Sequence, residues 1–572
     1  MRATMRQLVA ERARGVAFGA ASLIAFSVSS GMMNSRGTEP PRMSLAVVNA
    51  RIWTGDARRP WAEALAVAGD RIAAVGSSAE IRKLTGADTQ IIDAQGRLVL
   101  PGFIDSHVHF VSSGFGLASV QLRDARTPAE FTARIKAFAA TVPAGTWIMA
   151  GQWDHEQWGG ELPRHDWIDS VTPNHPVWVS RLDGHMALAN GAAMRAAGVT
   201  TQTPDVAGGT IVRGANGEPT GVFKDNAQGI IDRVVPDPSP VMSDRALAAS
   251  MKYVAAQGVT SVHNMGSWED VATFERAARR GLLKTRVDPA GPFATWQQLR
   301  DRVSTRGGGR GDSWLRIGGL KGFVDGSLGS HTAAMMQPFT DAPADTGLLV
   351  NTPENLYAWT SGADRAGLQV IVHAIGDRAI DLQLGIFERV ARENGARDRR
   401  FRIEHAQHIA PRDIPRFGQL GVIPSMQPYH AIDDGRWAEK VIGHERAKTT
   451  YAFRSLLDAG AKLAFGSDWS VAPATPLEGI YAAVTRQTLD GQHPDGWIPE
   501  QKITVEEALR AYTLGGAYAS FEEGSKGSLE KGKLADFIII DRDITRIAPA
   551  EIRKARVMRT VIGGRTVYSR SD

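Results

Sequence analysis

Four apolar runs, scattered over most of the chain, each end on side chains able to bind a metal or carry a proton. Pro101-Gly102-Phe103-Ile104-Asp105 leads into Ser106-His107-Val108-His109, and Leu368-Gln369-Val370-Ile371-Val372 ends at His373. Phe401-Arg402-Ile403-Glu404 ends at His405, and Lys462-Leu463-Ala464-Phe465-Gly466-Ser467 ends at Asp468. In a barrel of parallel strands the catalytic face is built from the strands' carboxyl ends, so such residues converge although they are far apart in sequence. Helical segments separate the runs. One clear helix start is Thr504-Val505-Glu506-Glu507-Ala508-Leu509, where Thr504 and Glu507 form a capping box. The alternation predicts an α/β fold, a (β/α)8 TIM-type barrel over residues 98–521, rather than an open sheet.

Both ends of the chain are β-rich. Ala46-Val47-Val48, Arg51-Ile52-Trp53 and Ala64-Leu65-Ala66-Val67 open it, while Phe537-Ile538-Ile539-Ile540 and Thr560-Val561-Ile562 close it. Neither set is large enough to stand alone, so residues 44–97 and 522–572 are expected to form one small composite β-sandwich. From His109 to Lys321 the chain runs 321 − 109 = 212 positions, more than one strand and helix require. A large insertion, about residues 110–315, is therefore expected after the first barrel strand. It contains Trp147, Trp153, Trp158, Trp167 and Trp178, and a hairpin signal at Asn216-Gly217. Its aromatic density suits an apolar substrate pocket and the insertion's own core equally well.

His107 and His109, two apart at a strand end, project to the same side. Two neutral imidazoles placed that way can bind a divalent ion, zinc being the expected one. The chain has no cysteine, so any metal must be held by histidine and oxygen ligands. His-x-His, then His373, His405 and Asp468, each closing a separate run, predict a metal site. Glu404 is expected to point away from that site, as the strand neighbour of His405. His408, three residues further on, is expected in a loop. The net charge of +5 comes from 66 basic and 61 acidic residues with no long basic run, which gives nucleic-acid binding no support. A serine hydrolase is disfavoured because no Gly-x-Ser-x-Gly elbow is present.

The first residues read differently. Arg2, Arg6, Arg12 and Arg14 precede an uncharged stretch from Val16 to Met33, with small residues around Ser27-Val28-Ser29-Ser30. This layout predicts a signal peptide within a leader of residues 1–43, and a periplasmic or secreted protein. A true start near Met43 would make it cytoplasmic instead. Ser and Gly dilute the apolar run, so stable membrane insertion is not expected.

The motifs together resemble the amidohydrolase superfamily, and within it the amidohydrolase-3 group that includes YtcJ-like proteins and N-substituted formamide deformylases. The likeness covers about Ser44 to Tyr568. It rests on the His107/His109 segment, Asp183-Gly184-His185, Lys321-Gly322-Phe323-Val324-Asp325-Gly326-Ser327, His373-Ala374-Ile375-Gly376-Asp377, Glu404-His405 and Gly466-Ser467-Asp468-Trp469, with the tail Gly527–Asp536. The resemblance implies one or two divalent ions held by His107, His109, Lys321, His373, His405 and Asp468. It implies that Lys321 reacts with carbon dioxide and that its carbamate bridges the ions. Asp468 is implied to bind metal and shuttle the proton, and His185 to grip the scissile carbonyl. The implied reaction is hydrolysis of a non-peptide C–N bond in a small molecule: an N-substituted formamide, an amide or a cyclic amide. An esterase or lactonase on the same site, or a non-catalytic metal-bound regulatory or binding protein, remain the alternatives. A homo-oligomer is compatible with all of them.

Overall fold

The computed structural model describes residues 42–305 and 309–570. The leader expected at residues 1–43 lies almost wholly outside the described residues, as do Gly307 and Gly308 of the glycine-rich loop. No helix among the described residues is long and apolar enough to cross a membrane.

Eight parallel strands form a nearly closed barrel. In chain order they are β1 (Phe103–Val108), β2 (Val259–Met265), β3 (Arg286–Pro292), β4 (Gly319–Phe323), β5 (Gln369–Ala374), β6 (Arg402–His405), β7 (Ile423–Met426) and β8 (Ala464–Phe465). Each pairs in parallel with the next, for example Leu320 with Val370 and Val372 with Ile403. The last gap is bridged beyond β8, where Asp468 N donates to His107 O at 2.7 Å and His109 N to Trp469 O at 2.7 Å. That closure sets Asp468 against the first two histidines.

Between the strands run helices whose buried faces pack on the barrel. The helix Asp377–Glu393 buries Ala379, Ile380, Leu384, Phe387 and Val390 and leaves its charged side to water. Parallel strands covered on both faces favour apolar sequence, and Val370, Ile371 and Val372 of β5 supply it. Thr504 and Glu507 form the expected capping box at the helix Val505–Arg510.

The two chain ends share one sheet. Its order runs from Arg565–Ser569 through Val557–Ile562 and Phe537–Ile540 to Leu98–Pro101, Arg51–Trp53 and Trp61–Ala62. A second sheet (Arg71–Gly76, Ala64–Ala68, Leu45–Val48, Gln90–Asp93) packs against it over a core that includes Val47, Ile52, Leu65, Val99, Phe537 and Val561. Leu98–Pro101 belongs to this sandwich and not to the barrel, so the border falls later than residue 97. Gly102 makes the crossing. A Cβ there would lie 2.2 Å from Thr260 Cγ2, so only glycine lets the chain pass β2 that closely.

The stretch outside the barrel is shorter than the expected 110–315, because β2 and β3 lie inside that range and are barrel strands. Both were hidden by polar residues in their sequences: β2 reads Val-Thr-Ser-Val-His-Asn-Met, and β3 contains Asp288 and Pro289. The extra module is a five-stranded sheet, ordered Gly209–Arg213, Pro219–Asp225, Met186–Ala189, Val177–Arg181 and Ile148–Trp153. Its first pair is the hairpin signalled by Asn216-Gly217, and Gly217 takes the required positive φ of 79°. Trp153 and Trp178 are buried in this module, and Trp158 and Trp167 pack on Phe131. Of the five tryptophans only Trp147 lines the large cavity described below.

Candidate metal centre

β1 pairs with β2 through register shifts on either side of Asp105 that break its alternation: Phe103 packs edge-on against Tyr512, in the helical segment after β8, whereas His107 reaches Glu404 of β6 in the interior. His107 is fully buried, and its Nδ1 lies 2.6 Å from Glu404 Oε2, also fully buried. That hydrogen bond leaves Nε2 as the free ring nitrogen, 3.5 Å from Asp468 Oδ1 and 3.3 Å from Lys321 Nζ. His109, at the mouth, places Nε2 at 3.2 Å from the same Asp468 oxygen. Asp105 anchors the closure from beneath by accepting hydrogen bonds from Ser467 N and Oγ at 2.8 and 2.6 Å. Burial pushes its carboxyl up to about 7.

Glu404 does not point away from the site, contrary to the expectation from its sequence. Arg402 and Glu404, two apart on β6, both face the interior, where Arg402 Nε donates to Glu404 Oε1 at 2.8 Å. His405 should then face outward. Instead the backbone turns left-handed at His405 (φ 71°) and Ala406 (φ 44°), which breaks the alternation and swings the imidazole back over the barrel. His405 Nδ1 is 2.8 Å from Gln427 Oε1, and its ring centroid is 4.8 Å from that of His107 and 4.6 Å from that of His373. His373 closes β5 and donates Nε2–H to Gly326 O at 2.9 Å, leaving Nδ1 as its lone-pair nitrogen. His408 lies away in the loop, with Nδ1 2.8 Å from Thr450 Oγ1.

Lys321 stands in the middle of β4, buried, among these groups. Burial lowers its amine to about 8. Burial likewise holds the imidazoles of His107, His373 and His405 well below their ordinary range, so they are neutral at physiological pH and each keeps a ring nitrogen with a free lone pair. His185 comes from the inserted module, just before Met186–Ala189, and reaches the same place. Its Nδ1 is 2.6 Å from Asp225 Oδ1 and its ring centroid is 4.8 Å from that of His373. Burial opposes its charged form, but the Asp225 carboxylate outweighs this and raises the imidazole above its ordinary value.

The donor set suits a divalent ion on its own terms. Asp468 Oδ1 is buried with no hydrogen-bond partner among the described residues, although two imidazole nitrogens face it. A buried carboxylate oxygen left so is costly unless something positive joins it. His107, His109 and Asp468 form a three-donor group with ligand atoms within 4.8 Å of one another, close enough to share a divalent ion.

Above these residues opens a cavity of about 1030 Å³. Its floor includes His109, Lys321, His373, His405 and Asp468, and its outer walls include Phe115, Phe138, Trp147, Met149 and Met242. His430 also lines it, a residue that sequence reasoning passed over because it closes no apolar run. The usable signal was Gln427-Pro428-Tyr429-His430 directly after β7: a proline opens the helix Pro428–Asp434 at the barrel mouth.

Comparison with known proteins agrees with this architecture. The model of the amidohydrolase family matches residues 90–568. The chain is 41% identical to Protein LONG AFTER FAR-RED 3 of Arabidopsis thaliana, over 92% of this chain and 91% of that protein. It is 31% identical to the N-substituted formamide deformylase of Arthrobacter pascens, over 92% and 98% of the two chains. Among solved structures, an uncharacterized metal-dependent hydrolase from Pyrococcus horikoshii superposes with a TM-score of 0.72 at 28% identity, over 88% of this chain and 99% of that one.

Proposed function

The chain belongs to the amidohydrolase family, and on that premise we propose that it hydrolyses a non-peptide C–N bond, as in an N-substituted formamide, amide or cyclic amide. The observation that carries the reading is the buried Asp468 oxygen, without a hydrogen-bond partner among the described residues and faced by the imidazoles of His107 and His109 at the floor of the cavity. The likeness to a formamide deformylase supports the bond class.

His107, His109, His373, His405, Asp468 and Lys321 are the residues that would hold one or two divalent ions, zinc by the nature of the donors. Such an ion supplies Lewis acidity toward a carbonyl and a lowered pKa for water. The amine of Lys321, brought to about 8 by burial, keeps a neutral fraction at physiological pH. That fraction adds to carbon dioxide with loss of one proton, giving an anionic carbamate in place of a repelled ammonium. Asp468 takes the proton of the attacking water and returns it to the leaving nitrogen. His185, held at Nδ1 by Asp225, presents Nε2 toward the cavity and donates a hydrogen bond to the carbonyl oxygen as negative charge develops there.

The test is a screen of the purified chain, loaded with two equivalents of zinc, against N-substituted formamides, cyclic amides and matched esters. Amine release is expected, lost on chelation and regained on adding zinc. Turnover of esters alone would move the assignment to C–O bonds, and no turnover of any substrate by loaded protein would sink the enzymatic reading. We further propose export. Sequencing of the mature N-terminus should find a start near residue 30, and retention of Met1 would refute it.

A further inference from the structure

His430 falls in a second three-donor group that the family motifs do not include. Ligand atoms of His405, His430 and Asp468 lie within 4.8 Å of one another, the same criterion met by His107, His109 and Asp468. The two groups share one carboxylate, that of Asp468. Asp468 Oδ1 is 3.5 and 3.2 Å from the Nε2 atoms of His107 and His109. We infer that His430 is a metal ligand: it completes a second metal position with His405 and Asp468, whose carboxylate the two positions share.

The state of the His430 ring supports this. His107, His185 and His405 each have a side-chain oxygen within hydrogen-bonding distance of Nδ1, from Glu404, Asp225 and Gln427. No described residue does this for His430, and its Nε2 is buried without a hydrogen-bond partner. Unlike His408, whose Nε2 is also without a partner, His430 lies beside a carboxylate and a second imidazole, where a free ring nitrogen can bind an ion. The backbone delivers it there. Pro428 begins the helix directly after β7, and His430 sits in its first turn with its N–H donated to Gln427 O at 3.1 Å. A carboxylate shared between two sets of nitrogen donors is how two-ion hydrolytic centres hold their metals close together.

This inference rests on the metal-centre reading above, and its test needs no substrate. The full chain, stripped by chelator dialysis, is titrated with Zn²⁺ in competition with a chromophoric chelator. A parallel titration with Co²⁺ follows the visible absorption of nitrogen-ligated cobalt. The native chain should bind two ions. His430→Ala should keep the first and bind the second at least about tenfold more weakly, with a changed cobalt spectrum, since even indirect partners of a ligand are worth about 10–100-fold in affinity. His408→Ala, at a histidine outside the centre, should leave both constants unchanged. If His430→Ala fails to fold, the near-isosteric His430→Gln is titrated in the same way. A native chain that binds a single ion, or a second constant unaltered in the folded His430 variant, overturns the inference. Two ions bound with no turnover of any amide or ester would instead sink the proposed activity and leave this assignment standing.

Discussion

The floor and the outer wall of the cavity are built on opposite principles. The floor is polar, buried and held rigid by hydrogen bonds: Glu404 on His107, Gln427 on His405, Asp225 on His185. The outer wall is more apolar and more open, with Met149 of the inserted sheet 38% exposed and Met242, on the helix Pro240–Ala256 before β2, 52% exposed. A buried polar group displaced by an ångström loses its partners, whereas an apolar surface adapts by repacking. Chemistry should therefore fail steeply with changes to the floor, and only substrate preference should drift with changes to the wall.

The strongest way to break that contrast is at Asp468. Asp468→Ala should lower kcat by about 10³- to 10⁴-fold, the upper range for lost general acid–base action, because it removes a metal donor as well. Steady-state kinetics on zinc-loaded protein with unchanged folding would show this, and a loss under tenfold would mean the floor is not the reacting centre.

Lys321→Ala comes next. It should lose at least one ion by metal analysis and at least ~10²-fold in kcat, more than a change to a ligand's neighbour causes. Lys321→Arg should not rescue, because a permanent guanidinium cannot become an anionic oxygen ligand. Retention of full metal content in Lys321→Ala would remove the carbamate from the account.

Glu404→Gln keeps the shape beneath His107 and removes the charge. Metal affinity should fall about 10–100-fold, measured by chelator competition, while the metal-free protein folds normally. Here the sequence was misleading for a definable reason. Strand alternation assigns Glu404 and His405 to opposite faces, and only the left-handed turn at His405 brings both to one site. The positions of His107, His109, His373 and Asp468 were legible because each closes an apolar run. Lys321 and His185 were legible only through resemblance to a family, since a lysine or histidine in a glycine-rich segment carries no periodic signal. His430 offered only a proline after a strand.

On the wall, Trp147→Ala should raise KM for substrates with large apolar groups by about fivefold, corresponding to ~1 kcal/mol of lost burial, with kcat nearly unchanged. A fall in kcat that matches the Asp468 variants would erase the distinction between wall and floor. Far from both, Thr504→Ala removes a helix cap and should cost ~1 kcal/mol of stability, seen in thermal melts, with no change in kinetics.

The order of apolar runs and the residues that end them determined most of the barrel and most of the centre, because a buried parallel strand is usually apolar along most of its length and its carboxyl end faces the site. The β-rich ends likewise determined a shared sandwich, since neither could bury a core alone. The sequence did not decide where β2 and β3 lay, since their polar residues hide the strand pattern and only pairing with β1 and β4 fixes them. Nor did it decide that Asp468 would stand between two groups of imidazoles. That follows from closure of the barrel by the Asp468–His107 and His109–Trp469 backbone hydrogen bonds, contacts between residues more than half the chain apart that no local pattern encodes.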